Sequence, residues 1–473
     1  MSLPWYWRSL RNENRSGKEI FELLFRQQGT IATLLESPVL NSHEQSHLSR
    51  YSICAGSPRI VDGKLRLWTP QLGEILPFLR SLLKTESTNN IDEPTHLPFT
   101  GGWLGWLGYD LAKEIEKLPR QKSPDRRRSL CDSLPFPLAY WYEPESFAIL
   151  DRAEKTLWLA ATTETKLDRL QHQLESKLIP PLSPSPPLPL PPSPNSFLTS
   201  QEDYENAVRQ AKKYIQAGDI FQANLSVRFQ VSTTAESWDI YCALQAINPS
   251  PFASYWKTPW GDVISCSPER LVQLQGRTAQ TRPIAGTRKR GITPEFDRNL
   301  AEELITNVKE RAEHIMLVDL ERNDLGKVCQ WGSVEVDELL TIERYSHVMH
   351  LVSNVCGTLK PECDGVDLIR AVFPGGTITG CPKVRCMEII EQLESVPRNL
   401  FYGSCGYLDR RGNLDLNILI RTLLYSHYSP EKSLVWGQVG AGIVADSDPE
   451  QEWYESLNKA EAQLAALRYG IRS

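Results

Sequence analysis

Short apolar runs alternate with turn formers through the first third of the chain. Runs at 31–35, 51–55, 64–68, 147–150 and 157–161 predict strands, and the segment 72–83 predicts a helix. Beyond residue 197 the apolar spacing lengthens in places. Helices are predicted over 201–217, 294–317, 383–393 and 449–467, and strands over 221–231, 262–267, 333–342 and 434–444. The elements show no regular βαβ rhythm and no segment repeats. That order predicts an α+β fold with antiparallel β-sheets packed as a sandwich and helices outside.

The strongest punctuation is IPPLSPSPPLPLPPSP at 179–194, which suits neither helix nor central strand and predicts an extended linker. It divides the chain into an N-terminal region, 1–178, a Pro-rich linker, 179–196, and a C-terminal region, 197–473. The stretch TGGWLGWLGY at 100–109 mixes glycines with aromatics. It lacks the strand–turn–helix context of a dinucleotide loop, so its glycines are read as packing positions.

Composition narrows the classes. The 473 residues are 41% hydrophobic and 23% charged, which is ordinary globular usage. The net charge is -6, and the one basic run, Arg126 to Arg128, is read as solvated surface, so no nucleic-acid partner is expected. No run approaches ~18 apolar residues, and residues 1–19 hold no apolar signal segment. Ten cysteines lie scattered without a Cys-x-x-Cys pair, which predicts reduced thiols in the cytoplasm rather than zinc or disulfides.

Candidate chemistry gathers late in the chain. Asp448 and Pro449 predict a helix start, after which Glu452, Glu455 and Lys459 share one face. A second acidic helix reads KERAEH at 309–314. Carboxylates from two helices suit a hard cation such as Mg²⁺, although the same spacing also makes surface ion pairs. The loop PGGTITG at 374–380 and Gly440-Ala441-Gly442 offer backbone N–H groups to an anion, and Arg421 offers a carboxylate clamp. Ordinary capping loops and a surface arginine would look alike.

Nine ordered stretches change the weighing: GDIFQANLS (218–226), SPERL (267–271), TRPIAGT (281–287), AEHIMLVDLERNDLG (312–326), YSHVMHLVS (345–353), PGGTITGCPKVRCMEII (374–390), NILIRT (417–422), GAGIVADSDP (440–449) and EWYESLNKA (452–460). Together they resemble the chorismate-binding enzymes, which include anthranilate synthase component I, aminodeoxychorismate synthase component I, isochorismate synthase and salicylate synthase. LLES (34–37), SRYS (49–52) and the glycine–aromatic stretch extend the likeness into the N-terminal region. The resemblance implies Mg²⁺ held by Glu313 and Glu455, with Glu452 behind them. It implies Glu269 as the general acid for the departing C4 hydroxyl. Arg421, Lys459, Thr287 and the backbone of Gly440, Ala441 and Gly442 would bind carboxylates, and His350 would stand where pyruvate leaves in the lyase members. LLES matches a tryptophan-inhibition motif, so the resemblance marks Leu35, Glu36, Ser37, Ser49, Pro251 and Phe252 as a tryptophan site, although Phe-Ala at 252–253 stands where tryptophan-inhibited members carry Tyr-Met.

Water-using members carry a lysine base where this chain has Gln222. An amide cannot deprotonate water, whereas ammonia already has a nucleophilic lone pair, so ammonia is the expected nucleophile. Ala285 removes the covalent route open to members with a lysine in the PI-x-GT motif. Asn-Leu-Ser at 224–226, Phe-Ala at 252–253 and the PGGTITG loop lean towards 4-amino-4-deoxychorismate as product. LLES and Gly440-Ala441-Gly442 lean towards the alternative, anthranilate with pyruvate. The Gly-x-Cys-x-Gly element of glutamine amidotransferases is missing, and GSCG at 403–406 reads as a strand turn. Ammonia is therefore expected from a separate amidotransferase subunit in a heterodimer.

Overall fold

The computed structural model describes residues 5–12, 14–37, 50–84, 93–118, 134–176, 197–344, 348–429 and 432–469. Two large antiparallel sheets form the body. The longer runs Tyr6–Arg11, Thr156–Ala161, Ser146–Asp151, Tyr51–Ala55, Ala32–Glu36, Phe252–Thr258, Gly261–Ser267, Thr422–Ser429, Lys432–Ile443, Gln222–Thr233 and Gly380–Cys381. The second runs Ile284–Lys289, Val348–Thr358, Thr278–Thr281, Arg270–Gln275, Leu414–Asn417, Ser404–Asp409, Gly102–Leu107, Ala139–Tyr142 and Leu67–Trp68. Glu335–Arg344 also pairs with Val348–Thr358.

Alternation puts large apolar side chains on the inner faces, where they meet. Trp106 of the second sheet and Trp256 of the first are fully buried and touch edge to face, their centroids 5.9 Å apart. The outer face of the long sheet is covered by helices Gly17–Leu24, Glu164–Ser176, Gln201–Gln216, Ser237–Ile247 and Pro449–Tyr469, which share an apolar cluster with it. This is the α+β sandwich expected from the element order. Among the described residues no helix is long and apolar enough to cross a membrane.

The regions on either side of the Pro-rich linker share both sheets. Ala32–Glu36 pairs with Phe252–Thr258, and Gly102–Leu107 pairs with Ser404–Asp409. The linker itself, Ser49 and the run Arg126 to Arg128 lie outside the described residues.

Local chemistry moved several expected boundaries. The helix expected over 294–317 is two helices, Pro294–Thr306 and Val308–Val328. Between them Asn307 is extended (φ -64°, ψ 112°), and its side chain caps the second helix by accepting from the Glu310 N–H at 3.0 Å. The strand expected over 64–68 splits into Lys64–Leu65, in a small hairpin, and Leu67–Trp68, in the second sheet. The glycine–aromatic stretch is packed as read, but as the buried strand Gly102–Leu107. A Cβ at Gly105 would lie 2.0 Å from the Tyr140 carbonyl oxygen. GSCG is no turn: Ser404 starts the strand Ser404–Asp409.

Candidate active site

The candidate residues come from both sheets and four loops or helices. Glu269 follows the strand Gly261–Ser267 and is 5% exposed. Thr377, in the loop before Gly380–Cys381, donates its hydroxyl to Glu269 Oε1 at 2.8 Å. Burial drives the Glu269 carboxyl up to about 8; the Thr377 bond opposes the rise, and a second acid, Glu321, adds to it. Glu269 therefore carries its proton at neutral pH.

Glu321 comes from the helix Val308–Val328 and is also buried. Its carboxyl is driven up to about 7, first by burial and then by Asp324, with Lys383 opposing. Lys383 already holds Asp324 and donates to the Val372 carbonyl at 2.8 Å.

His350 lies opposite Thr287 where Ile284–Lys289 meets Val348–Thr358. Its Nδ1 is 3.0 Å from the Thr287 hydroxyl and 3.3 Å from the Gly286 carbonyl. A carbonyl only accepts, so the second contact puts the proton on Nδ1. Burial pushes the ring down to about 3, with the charge of Arg421 helping, so it is neutral. Gly286 takes φ +62° at a bulge between Ala285 and Thr287, and a Cβ there would meet Glu310 Oε2 at 2.1 Å. Ala285, half-buried on this strand, adds only a methyl group.

Arg421 sits at φ +49°, and its Nη1 donates to Asn248 Oδ1 at 3.0 Å. Its charge is felt at Glu269 and His350 alike, so these three groups share one field. Gln222 opens the strand Gln222–Thr233, which pairs with Lys432–Ile443 so that Asn224 faces Gly442. A Cβ at Gly442 would lie 2.3 Å from Gln222 Nε2, so the missing side chain makes room for the amide. The side-chain oxygens of Gln222 and Asn224 are buried without a hydrogen-bond partner among the described residues, leaving two acceptors for a ligand's N–H or O–H.

Pairing of Lys432–Ile443 with Thr422–Ser429 ends at Gly437, so Gly440, Ala441 and Gly442 are laddered on one side only. Lys459 reaches over this edge, 3.0 Å from the Gly440 carbonyl and 2.8 Å from Glu455 Oε1. Asp448 caps the helix bearing Lys459, as its sequence suggested, accepting from the N–H groups of Glu450 and Gln451 at 3.1 and 3.0 Å.

Glu313 lies half-buried on the helix Val308–Val328, 4.0 Å from Lys309. Burial raises its carboxyl, Lys309 opposes, and Glu310 and Glu455 raise it further. Burial also raises Glu452, which accepts from the Ser447 hydroxyl at 2.6 Å and feels Glu455. Three acids from two helices thus lie within electrostatic reach of one another. Their donor atoms are not gathered into a tight cluster. Among the described residues the one triplet with donors within 4.8 Å is His96, Asp151 and Glu154. There Arg50 already pairs with Asp151 at 2.7 Å and reaches Glu154 at 3.4 Å, which disfavours a cation.

Arg398, buried between the rings of Tyr109 and Tyr402, ties the site together. It pairs with Glu394 at 2.8 Å and donates to the carbonyls of Ile378 (2.7 Å) and Asn224 (2.8 Å). One guanidinium thereby joins the Thr377 loop to the Gln222 strand. The motif reading did not single out Arg398, Thr377, Glu321 or Asn248. Thr377 and Glu321 stand inside matched stretches, but nothing in the letters says which side chains turn inward.

A separate cavity of ≈ 320 Å³ is lined by residues from both sheets, among them Leu35, Glu36, Ser37, Pro251 and Phe252. Glu36 is buried and accepts from Tyr241 and Gln245, each at 3.2 Å; burial raises its carboxyl, with Arg152 opposing. Ser37 donates to the Pro251 carbonyl across the cavity wall. The structure thus brings together five of the six residues expected to form a tryptophan site.

Comparison with known proteins agrees with this architecture. A family model described as chorismate binding enzyme matches residues 45–465. The chain is 61% identical over 98% of its length to an anthranilate synthase component I-like protein of Synechocystis, covering 92% of that protein. It is 43% identical to aminodeoxychorismate synthase component 1 of Bacillus subtilis, over 90% of each chain. Among solved structures, anthranilate synthase component I from Streptococcus pneumoniae superposes with a TM-score of 0.70. It is 30% identical, with 93% of this chain and 95% of that one covered.

Proposed function

The chain belongs to the chorismate-binding enzymes, and from that membership we propose that it attacks the ring of chorismate with ammonia. The observation that carries this reading is a buried, proton-bearing Glu269 in a site where Gln222, not a lysine, stands ready for the nucleophile. Glu269 gives its proton to the departing C4 hydroxyl. The Gln222 amide oxygen accepts an N–H of ammonia and points the nitrogen lone pair at C2. Arg421, Lys459, Thr287 and the one-sided edge at Gly440, Ala441 and Gly442 grip the substrate carboxylates. Glu313 and Glu455, with Glu452 behind them, supply the all-oxygen, partly solvated donor set that Mg²⁺ favours. The ion would neutralise a ring carboxylate. Ammonia comes from a glutamine amidotransferase subunit in a heterodimer.

The product we assign first is anthranilate. Ala285 offers no covalent detour to C4, and neutral His350 presents a lone pair for the C2 proton as pyruvate leaves. The name of the Synechocystis relative leans the same way. The cavity at Leu35, Glu36 and Ser37 would then hold L-tryptophan as a feedback ligand. A second product, 4-amino-4-deoxychorismate, is favoured by the PGGTITG loop and by the 43% identity to the Bacillus subtilis enzyme. Incubation with chorismate, Mg²⁺ and ammonium, read by mass and fluorescence, separates the two. Unchanged chorismate would remove both readings.

A further inference from the structure

A buried carboxyl without its own cation is costly, and among the described residues no cation forms an ion pair with Glu321. The ammonium whose charge reaches it, Lys383, is already taken by Asp324 and the Val372 carbonyl. Adjacent residues of one turn hold the two acids. Thr377 binds Glu269, while Glu321 Oε1 lies 3.4 Å from where a Cβ on Gly376 would stand. The charged groups facing the pair are Asp324 on the same helix as Glu321, Lys383 on the helix Lys383–Leu393, and Arg421 beside Glu269. In a water-poor site two neighbouring carboxyls do not both ionise easily.

We infer that Glu321 is a positioning residue for the proposed reaction: seated against the turn that grips Glu269, it keeps the general acid in its proton-bearing form. The inference rests on the assignment of Glu269 as that acid. The direction of the shifts agrees, since the charge of Glu321 raises Glu269. A purely structural alternative exists, because the Glu321 carboxyl also receives the Gly376 N–H and so steadies the 3₁₀ turn Gly376–Ile378. The two roles part on substitution. Glu321→Gln keeps an acceptor for the turn and removes the charge, whereas Glu321→Asp keeps the charge.

The test is the pH profile of kcat/KM for chorismate, between about pH 6 and 9.5, at constant free ammonia. The unmodified chain is expected to lose activity as pH rises through about 8. Glu321→Gln is expected to move that alkaline limb down by about one pH unit, and Glu321→Asp to leave it near its original place. Coincident limbs for Glu321→Gln and the unmodified chain would overturn the inference, as would equal shifts in both variants. Should circular dichroism show the amide variant unfolded, Glu321→Met, uncharged and of similar volume, is read by the same criterion. No turnover by the unmodified chain would instead overturn the proposed function, and the inference with it.

Discussion

The proposed reaction asks for an acid that meets its substrate still carrying a proton, and burial keeps one on Glu269. Glu269→Gln should lower kcat about 10²–10⁴-fold with little change in KM, since the amide fills the same space but cannot donate that proton. The same burial has a thermodynamic side. Glu269 and Glu321 hold protons up to about 8 and about 7 in the folded chain, against 4.5 for ordinary glutamates. Their stabilising contribution is therefore complete below pH ~4.5 and is lost as pH rises through 7 and 8. Thermal melts of the unmodified chain should fall over that window, and Glu269→Gln should flatten the slope. An unaltered slope would mean that Glu269 titrates as an ordinary surface acid. At this scale the sequence was informative wherever chemistry is written in residue type: Glu269, Gln222 and Arg421 stand out by motif. It was silent where a role depends on which hydroxyl or amide turns inward, as with Thr377 on Glu269, Asn248 on Arg421 and Ser447 on Glu452.

Elements place these side chains through small local decisions. Asn307 halts one helix and caps the next, which sets the angle at which Glu313 is presented; apolar periodicity runs through the break without marking it. The strand Gly102–Leu107 was equally hard to read as a strand, because its glycines are there to let the Tyr140 and Leu408 carbonyls come close. Gly442 does the same for Gln222. In Gly442→Ala the new methyl group meets the far end of a flexible side chain, so the strand survives and the amide moves aside. Melting should change little, while kcat/KM should drop about 10²-fold, the scale of a 1 Å misplacement. Retained activity would show that Gln222 does not orient the nucleophile.

Across the whole molecule the Pro-rich stretch punctuates the sequence without dividing the sheets. Strand periodicity was enough to give a sandwich with helices outside, but not the pairing of strands far apart along the chain, since registry between distant segments leaves no local trace. A chain cut at a protease site engineered into 179–196 should therefore stay associated and elute as one species without denaturant, because Ala32–Glu36 and Gly102–Leu107 remain laddered to the C-terminal region. Separation into two folded fragments would contradict the shared sheets. The same pairing reaches back to the ribosome. Five strands of the long sheet, from Tyr6–Arg11 to Ala32–Glu36, have all been synthesised by residue 161, yet the partner of the last begins at Phe252. At ordinary elongation rates of roughly 5–20 residues per second, that apolar border stays open for several seconds on every nascent chain. Misassembly during synthesis is thus exposed at this strand, and slower translation between residues 161 and 252 lengthens the exposure.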